Sequence, residues 1–393
     1  MSRQGARTPS RRALLRAGAS GALGLYGISG ISGISSVGDT GHAPANPPAL
    51  TARPLVFPRD AGAHPDYQTE WWYLTGYANT DAMAAAFGFQ ITFFRRRIGA
   101  NQALHSPLAA RQLLFAHAAV TDVRGRKLWH DQRIARWSGA EPGDNPLDAA
   151  AASTRDAALT LRDWSLVRTE AHWTARVQGS DFALDLRCTP SQPVLLQGAQ
   201  GLSRKGPQAA QASYYYSLPQ LQVSGDLVLQ GATHRLASGS TAWMDHEWSQ
   251  ALLHPQAVGW DWIGINLFDG SALTAFRLRT QSGAALWDGG SLRSGKHLAT
   301  FRPGDVVFTP LRHWRSLLSQ AQYPVEWRVE VRTPDLAPLV YTVKAVLDDQ
   351  ELDSRRSTGA IYWEGLCEVW SGNGTLVGRG YLEMTGYAAP LRL

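Results

Sequence analysis

The sequence is poor in cysteine and lacks the common signatures of metal and nucleotide sites. Cys188 and Cys367 are the only cysteines among 393 residues, and no Cys-x-x-Cys pair occurs. A His-Glu-x-x-His motif is also missing, so the sequence predicts no metal site. No Gly-x-Gly-x-x-Gly loop precedes a helical pattern, which argues against a nucleotide cofactor.

The nucleophile signature of a serine hydrolase is missing as well. Such enzymes carry their serine on a sharp turn of the Gly-x-Ser-x-Gly type. Gly239-Ser240-Thr241 and Gly270-Ser271 do not fit this pattern. The two cysteines lie in different halves of the chain, so two buried thiols are the favoured interpretation and a disulfide is the alternative left open.

The N-terminal segment has no apolar run suited to a membrane anchor. Residues 13–36 are apolar but diluted by glycine and serine, and Arg16 interrupts them. Arg11-Arg12 stands immediately before this run, which is typical of a twin-arginine export signal. Because Ala43-Pro44-Ala45 suits signal cleavage, residues 1–45 are predicted to be a signal peptide and the mature protein to be periplasmic or secreted.

Positive charge is concentrated in this predicted signal peptide. The whole chain has a formal net charge of +6, and residues 1–45 hold five arginines and one aspartate. Without that segment the net charge falls to +2, which gives no strong indication of a nucleic-acid partner.

The rest of the chain has the pattern of an all-β protein. Short runs of strand character recur every 8 to 14 residues and are separated by glycine-rich turns. Chains of this kind commonly close their sheets into barrels, which removes exposed edges. Residues 106–114 and 313–322 are the best helix candidates.

A weak internal repeat predicts two related β-domains. The residues that share their spacings are Trp72, Gly76 and Asp81 in the first half and Trp260, Gly264 and Asp269 in the second. We expect the boundary between residues 205 and 220 and assign residues 46–212 to an N-terminal and 213–393 to a C-terminal β-domain.

The segment Ser240–Trp248 places three consecutive ionisable residues between two tryptophans. Since alternate residues of a strand share a face, Asp245 and Glu247 would lie on one face with Trp243, and His246 on the other. Two carboxyl groups beside an indole can raise each other's pKa, which would provide a general acid near neutral pH. The alternative is an ion cluster that braces a barrel mouth, and the sequence leaves both open.

Further clusters of acids and aromatic residues indicate a large aromatic-lined cavity. They are Glu70-Trp71-Trp72-Tyr73, Tyr214-Tyr215-Tyr216, Trp260-Asp261-Trp262, Tyr362-Trp363-Glu364 and the segment from Glu383 to Tyr387. A cavity of this composition suits a long apolar or polyene ligand. Its ring faces would also stabilise a cation.

Six motifs follow one another along the chain: HPDYQTEWWYLTG, YYYSLPQLQVSGDLVLQG, GSTAWMDHEW, GWDWIGINL, YWEG and GYLEMTGY. In this order they resemble the carotenoid 1,2-hydratase (hydroxyneurosporene synthase) family. The closer likeness is to its exported, AttH-like branch, often described only as predicted secreted hydrolases. The likeness extends over roughly residues 55 to 390. It implies two tandem lipocalin-like (calycin) antiparallel β-barrels.

The resemblance also implies a kind of chemistry. Members of this family hydrate terminal carotenoid double bonds, and related fungal proteins assist pericyclic cyclisations, in both cases without a cofactor. The positions that match here, together with the neighbouring Tyr73, are Glu70, Trp71, Trp243, Asp245, His246, Glu247, Asp261, Trp363, Glu364 and Tyr387. We expect Asp245, Glu247 and His246 to be catalytic and the others to bind substrate.

Our leading hypothesis is acid-catalysed hydration of a hydrophobic, isoprenoid or lipid-like molecule. Asp245 or Glu247 would protonate a C=C bond, aromatic faces would stabilise the cation, and the second carboxylate or His246 would hold the attacking water. The first alternative is a periplasmic carrier of a lipid or other apolar ligand, and the second is a hydrolase. The expected partner is a hydrophobic small molecule or lipid, with contact to a membrane surface and the oligomeric state both left open.

Overall fold

The computed structural model describes residues 49–251, 253–334 and 337–391. The predicted signal peptide lies outside these ranges. The regular structure is almost entirely β, with two short 3₁₀ helices at Arg59–Ala61 and Gly99–Asn101. Within the described ranges, no helix has the length and apolar character needed to cross a bilayer.

The first fourteen strands form one antiparallel sheet, which we call the first sheet. They are β1 (Thr69–Thr80), β2 (Met83–Arg97), β3 (Gln112–Asp122), β4 (Lys127–Trp137), β5 (Ala150–Ala152), β6 (Ala158–Leu161), β7 (Trp164–Arg168), β8 (Trp173–Gln178), β9 (Phe182–Thr189), β10 (Leu195–Leu196), β11 (Leu202–Arg204), β12 (Ala212–Leu229), β13 (Ala232–Arg235) and β14 (Thr241–Ala251). Their order is β4-β3-β2-β1-β14-β12-β9-β8-β7-β6-β5, with β10, β11 and β13 also paired to β12.

The remaining ten strands form the second antiparallel sheet. They are β15 (Gly259–Leu267), β16 (Ala272–Arg279), β17 (Ala285–Ser294), β18 (His297–Phe301), β19 (Val306–Arg315), β20 (Gln322–Val331), β21 (Leu339–Ala345), β22 (Glu351–Asp353), β23 (Ile361–Ser371) and β24 (Leu376–Met384). Their order is β18-β17-β16-β15-β24-β23-β21-β20-β19, and β22 pairs with β23.

Both sheets curl, one into a nearly closed barrel and the other into a half-barrel, which confirms the predicted all-β, tandem lipocalin-like fold. The sheets divide the chain between β14, which ends at Ala251, and β15, which begins at Gly259. The predicted boundary at 212/213 does not coincide with this division. Strands β12 to β14 pair with β1 and β9, so residues 213–251 complete the first sheet rather than open the second.

Strand alternation sorts the apolar side chains into three clusters. Trp72 and Leu74 of β1 face the core enclosed by the first sheet, whereas Tyr73 and Tyr77 face a separate cluster between the two sheets. The core enclosed by the second sheet contains Trp327 among its largest buried side chains. Because each curled sheet is filled by its own side chains, the space between the sheets is where the fold leaves room for a ligand.

The internal repeat does not align in the register proposed from sequence. Trp72 belongs to the core of the first sheet, but its proposed counterpart Trp260 packs against the cluster between the sheets. The sequence match therefore pairs residues on opposite faces of their strands. Trp71 and Trp262 do share the inter-sheet face.

Both helix candidates are wrong. Residues 112–114 begin β3, and residues 313–315 end β19 immediately before a turn that leads into β20. In both segments, pairing to a neighbouring strand prevails over local propensity. Cys188 in β9 and Cys367 in β23 are free, buried thiols, so the favoured interpretation of the cysteines holds.

Candidate active site between the sheets

A cavity of about 980 Å³, including its open mouth, lies between the outer faces of the two sheets. The first sheet contributes residues of β1, β2 and β14 to its walls, and the second contributes residues of β15, β16, β23 and β24. Its aromatic lining consists of Trp71, Tyr73, Phe94, Phe115, Tyr215, Trp260, Trp262 and Phe276. Five acids border the same space. Asp245, Glu247, Glu364 and Glu383 are four of them, and the fifth is Glu70, whose carboxylate pairs with Arg95.

One glycine makes this packing possible. A Cβ atom on Gly264 would lie 2.3 Å from the Trp262 ring and 3.2 Å from the Trp243 ring. The absence of a side chain therefore lets the Trp262 indole fold across β15 toward the first sheet. Trp243 and Trp262 meet edge to face, with ring centroids 6.4 Å apart.

Asp245 is buried and accepts three hydrogen bonds. Ser217 Oγ and Trp243 Nε1 donate to Oδ1 over 2.6 and 2.7 Å, and Tyr215 OH donates to Oδ2 over 2.6 Å. The register of β12 against β14 explains the set, because Ser217 lies directly opposite Asp245 and Tyr215 opposite Glu247 on the same face. Because Ser217 and Tyr215 are two residues apart on β12, both side chains lie on the face of Asp245 and reach its carboxyl group.

The direction of these hydrogen bonds is fixed by their neighbours. Gln197 Nε2 donates to Ser217 Oγ over 2.8 Å, so the Ser217 hydrogen goes to Asp245. Trp262 Nε1 donates to Tyr215 OH over 3.2 Å, so the Tyr215 hydrogen also goes to Asp245. Two donors fill Oδ1 and one occupies Oδ2, which leaves one acceptor position on Oδ2 that can carry a proton.

The environment of Asp245 favours its protonated form more than water does. Burial raises the pKa of Asp245 to about 7, against the lowering effect of Ser217, Tyr215 and Trp243, and the charge of Glu247 raises it further. Asp245 can therefore be a proton donor near neutral pH.

A chain of hydrogen bonds ties Asp245 to the second sheet. Ser291 Oγ of β17 donates to Gln197 Oε1 over 2.8 Å, and Gln197 passes the connection to Asp245 through Ser217. Ser291, Gln197 and Ser217 are all buried. We call this chain the Ser291–Asp245 relay.

Glu247 is held by a basic side chain. Lys205 Nζ lies 3.0 Å from Glu247 Oε1, and Ser213 Oγ donates to the same oxygen. Lys205 also lies over two aromatic faces, 4.6 Å from the Tyr215 centroid and 4.2 Å from that of Phe276. Glu247 is thus partly neutralised, whereas Asp245 is not in contact with a basic group in the described structure.

Glu364 and Glu383 form a second acid pair on the opposite wall. They are directly opposite each other in β23 and β24, where like charges repel. Burial and the charge of Glu383 raise the pKa of Glu364 well above its usual range. Burial, with the charges of Asp245 and Glu247, also raises the pKa of Glu383. The pair therefore retains a proton more readily than isolated glutamates do.

Two buried polar atoms of this wall lack a hydrogen-bond partner in the described structure. They are Glu364 Oε1 and Tyr73 OH, and both residues border the cavity. Burial raises the pKa of Glu364 and the Tyr73 hydroxyl group lowers it, so the two residues lie close to each other although neither of these atoms makes a hydrogen bond of standard geometry. Glu364 is 2% and Tyr73 6% exposed. Unsatisfied buried groups are costly, so these two atoms point to a ligand or an ordered water.

Glu70 and His246 lie on the other face of the first sheet. His246 Nε2 and His64 Nδ1 contact Glu70 Oε1 over 2.9 and 2.7 Å, and Arg95 Nε donates to Oε2 over 2.7 Å. Burial alone would raise the pKa of Glu70, but the charges of Arg95 and His64 and the hydrogen bonds of His246 and His64 hold it well below its usual range. Burial lowers the pKa of His246 to about 4. We call these residues the Glu70 cluster.

The Glu70 cluster includes a group of metal-type ligands. Within the described part of the chain, His64, Glu70 and His246 bring one ligand atom each within 4.8 Å of one another. The same carboxylate is already paired with Arg95, whose positive charge opposes a metal ion. The donor set therefore fits an ion-pair network better than a metal centre.

In the second sheet, Asp261 is held by basic side chains, as Glu70 is in the first sheet. Arg277 Nε and Arg279 Nε lie 2.7 and 3.0 Å from Asp261 Oδ2, and Tyr387 OH donates to Oδ1 over 2.9 Å. Trp363 belongs to the same core, where its Nε1 donates to the Asp348 carbonyl. These residues brace the second sheet from inside, away from the cavity acids.

The predicted site residues therefore divide between several places. Asp245, Glu247, Trp71, Tyr73, Trp243 and Glu364 meet between the sheets. His246 and the carboxylate of Glu70 lie inside the first sheet, and Asp261, Trp363 and Tyr387 lie inside the second.

Sequence reasoning missed several residues of the cavity wall. Lys205 was noted only at the edge of the predicted domain boundary, and Tyr215 and Glu383 were noted in aromatic clusters without a role in the site. Tyr215 lies opposite Glu247 and Glu383 lies opposite Glu364, and the two-residue alternation along their strands was the signal that could have identified both residues. Lys205 follows β11 at the end of an irregular segment and carries no such signal.

Comparisons with known proteins agree with the fold and identify the family. A model of the AttH-like family matches residues 48–387. A crystal structure from Nitrosomonas europaea, described as an AttH candidate, is 44% identical and covers 86% of this chain and 99% of its own, with a TM-score of 0.76. No curated protein sequence matches the chain significantly.

Two more distant structures share the fold. Kievitone hydratase from Nectria haematococca is 13% identical and covers 87% of this chain and 95% of its own, with a TM-score of 0.61. CghA is also 13% identical and covers 88% and 94%, with a TM-score of 0.54. On the extent of the family match and the 44% identity to the Nitrosomonas protein, the chain belongs to the AttH-like family.

Proposed function

We propose that the protein hydrates a carbon–carbon double bond of a hydrophobic, isoprenoid or lipid-like molecule bound between the two sheets. The observation that carries the proposal is Asp245, a buried carboxyl group with a pKa of about 7 and one remaining proton position on Oδ2, which borders an aromatic cavity. A positioned acid with a pKa near the working pH is the requirement for protonating a weakly basic carbon.

The reaction needs one proton and one water molecule. The Asp245 proton is transferred to the less substituted alkene carbon, where the π electrons form the new C–H bond. The neighbouring carbon becomes cationic and is stabilised by the faces of Trp262, Trp71 and Tyr215. Water then forms the C–O bond and loses its proton to a second carboxylate. Transfer of a proton from that group, or from solvent, back to Asp245 restores the starting state.

Glu247 and the Glu364–Glu383 pair are the available acceptors of that last proton. Both border the cavity, and Glu364 Oε1 is free to accept a hydrogen bond from water. His246 is not part of the proposal, because both of its ring nitrogens are engaged by Glu70 and Tyr216 on the other face of β14.

The test is water addition by the purified protein. A panel of isoprenoid alcohols and prenylated phenols is incubated in H₂¹⁸O, and products carrying one added labelled water are sought by mass spectrometry. Asp245→Asn keeps the size of the side chain but removes the acid, so turnover is expected to fall about 10²-fold or more. Asp148→Asn is the matched control, since Asp148 is a carboxylate bonded to Arg136 and Ser138 outside the cavity.

One observation favours the carrier function instead. The three donors to Asp245 and the Ser291–Asp245 relay connect the two sheets, as a purely structural bracing group would. If panel compounds bind but none gains water, and Asp245→Asn leaves binding unchanged while lowering stability, the carrier function is correct and hydration is not.

Export remains part of the proposal, on the strength of Arg11-Arg12 and the run that follows them. Replacing both arginines with lysine is expected to retain the protein in the cytoplasm, as cell fractionation would measure. Unchanged export would contradict the twin-arginine assignment.

A further inference from the structure

The cavity between the sheets contains more acids than bases. Asp245, Glu247, Glu364 and Glu383 border it, together with the basic side chains of Lys205 and Arg96. Arg95 borders it too, but its guanidinium group pairs with Glu70 inside the first sheet. Lys205 pairs with Glu247, which leaves the Glu364–Glu383 wall without a basic partner among the described ion pairs.

This wall also holds the two unsatisfied atoms. Glu364 Oε1 and Tyr73 OH are buried and have no hydrogen-bond partner in the described structure. Carboxylate and phenol oxygens both accept hydrogen bonds, so a group with several N–H donors would satisfy both at once. A neutral hydroxyl group could donate to Glu364 and accept from Tyr73, but it carries no positive charge to offset the two glutamates.

The aromatic residues around this wall suit a positive charge. Tyr73 and Trp262 meet edge to face with their centroids 5.3 Å apart, and Trp260 and Trp71 border the same space. Ring faces attract cations, most strongly where water is excluded. The acids and the aromatic rings of this wall therefore both favour a cationic ligand.

The chain's own Lys205 provides an internal precedent. Its ammonium group lies 3.0 Å from a buried carboxylate and over the rings of Tyr215 and Phe276. Burial of an ammonium group is tolerated when it is paired and hydrogen-bonded. On the opposite wall, Glu364, Glu383 and Tyr73 offer the same combination, and none of the described ion pairs places a basic side chain there.

We propose that the corner formed by Tyr73, Glu364 and Glu383 binds the protonated amino group of an apolar amine, whose hydrocarbon chain lies along the aromatic walls. The ammonium group donates to Glu364 Oε1 and Tyr73 OH, and its charge offsets the repulsion between the two glutamates. This site does not depend on the proposed hydration, because binding requires no turnover.

Binding is linked to proton release. The titratable groups that face the Glu364–Glu383 pair are Tyr73 of β1, Asp245 and Glu247 of β14, Tyr362 of β23 and Tyr381 of β24. Burial raises the pKa of both glutamates, and the charge of Glu383 raises that of Glu364 further, as the charges of Asp245 and Glu247 do for Glu383. The pair therefore holds a proton that a bound cation would displace. A neutral ligand of the same shape would displace none.

The test compares octylammonium with octan-1-ol, two probes of nearly equal size that differ in charge. Isothermal titration calorimetry at pH 7, in phosphate and in Tris, measures the affinity and the number of protons released. The intact protein is expected to bind octylammonium about tenfold more tightly than octan-1-ol or better. Proton release is expected for octylammonium alone.

Two variants locate the site. Glu364→Gln is expected to lower octylammonium affinity about tenfold and to change octan-1-ol affinity little. Tyr73→Phe, which keeps the ring, is expected to lower octylammonium affinity about threefold. Glu351→Gln is the control, because Glu351 is a buried acid bonded to Ser316 and Ser319 outside the cavity.

Equal affinity for the two probes would overturn the proposal in favour of a neutral ligand. So would a Glu364→Gln variant that weakens both probes to the same extent, or octylammonium binding without proton release. None of these results bears on whether an alkene gains labelled water, so this inference and the proposed function can fail separately.

Discussion

The two sets of buried acids in this protein differ in what surrounds them. Inside the first sheet, Glu70 meets Arg95, His64 and His246 at 2.7 to 2.9 Å. Between the sheets, Asp245 meets only neutral donors, and Glu364 meets another acid. The pKa of Glu70 is lowered and those of Asp245 and Glu364 are raised, although all three are buried.

Burial alone therefore does not decide what a carboxyl group does. It raises the pKa in every case, and the outcome depends on whether basic groups are close enough to reverse it. A paired carboxylate stays ionised and contributes to the fold, whereas an unpaired one in a cavity can store a proton for chemistry. The following predictions test this contrast.

The largest effect is expected from breaking the Glu70 cluster. Arg95→Met removes the positive charge and leaves Glu70 ionised and buried, which should lower the free energy of unfolding by about 3–5 kcal/mol. Urea denaturation monitored by tryptophan fluorescence measures the change. As a control, Arg176→Met removes a pair with Asp185 in which both side chains are more than 60% exposed, and should cost less than about 1 kcal/mol. An equal loss of unfolding free energy in the two variants would contradict the distinction between a buried and an exposed ion pair.

A smaller effect, which depends on pH, is expected from Asp245. Its pKa is about 7 in the folded protein and 3.8 as the ordinary value, so its protonation stabilises the fold fully below about pH 4. That contribution is lost as the pH rises to about 7, and three pKa units correspond to at most about 4 kcal/mol. The free energy of unfolding of Asp245→Asn, measured relative to the intact protein, should therefore rise by about 2–4 kcal/mol between pH 4 and pH 8.

If the free energies of unfolding of Asp245→Asn and the intact protein changed in parallel between pH 4 and pH 8, Asp245 would be ionised over that whole range, like Glu70. Glu70 itself should behave in the opposite sense. Because its pKa is lowered, its contribution is present above the ordinary value of 4.5 and is lost as the pH falls.

The smallest effect is expected from a matched pair of tyrosines. Tyr387→Phe removes a 2.9 Å hydrogen bond to Asp261 and should lower the free energy of unfolding by about 1–2 kcal/mol. Tyr73→Phe removes a hydroxyl group without a partner in the described structure, and should change it by less than about 0.5 kcal/mol or raise it slightly. Thermal unfolding of both variants measures these changes. If Tyr73→Phe lowered the free energy of unfolding as much as Tyr387→Phe does, the Tyr73 hydroxyl group would have a hydrogen-bond partner after all.

Strand periodicity predicted the central part of the site. The alternation along β14 correctly separated Trp243 and Asp245 from Met244 and His246, because a period of two is a local property of any strand. The all-β fold followed from the same pattern. The resemblance to the AttH-like branch rested on motifs that the family match confirms.

Contacts between distant segments could not be derived in this way. Whether Glu70 meets Arg95 or faces the cavity depends on the pairing of β1 with β2 and on the position of His64 in the preceding loop. The two-sheet division was misplaced because β12 and β14, which follow the Gly-rich segment at 201–206, return to pair with β9 and β1. Lys205 is placed over Phe276 only once both sheets are assembled.

The Ser291–Asp245 relay means that both sheets contribute to the hydrogen bonding around Asp245. Ser291 and Trp262 belong to the second sheet, whereas Ser217, Tyr215 and Asp245 belong to the first. A slight hinge opening between the sheets would break the relay at Ser291 or Trp262 while every strand remained paired. The raised pKa of Asp245 thus depends on contact between the two sheets, and on heating it should be lost before the β-structure is.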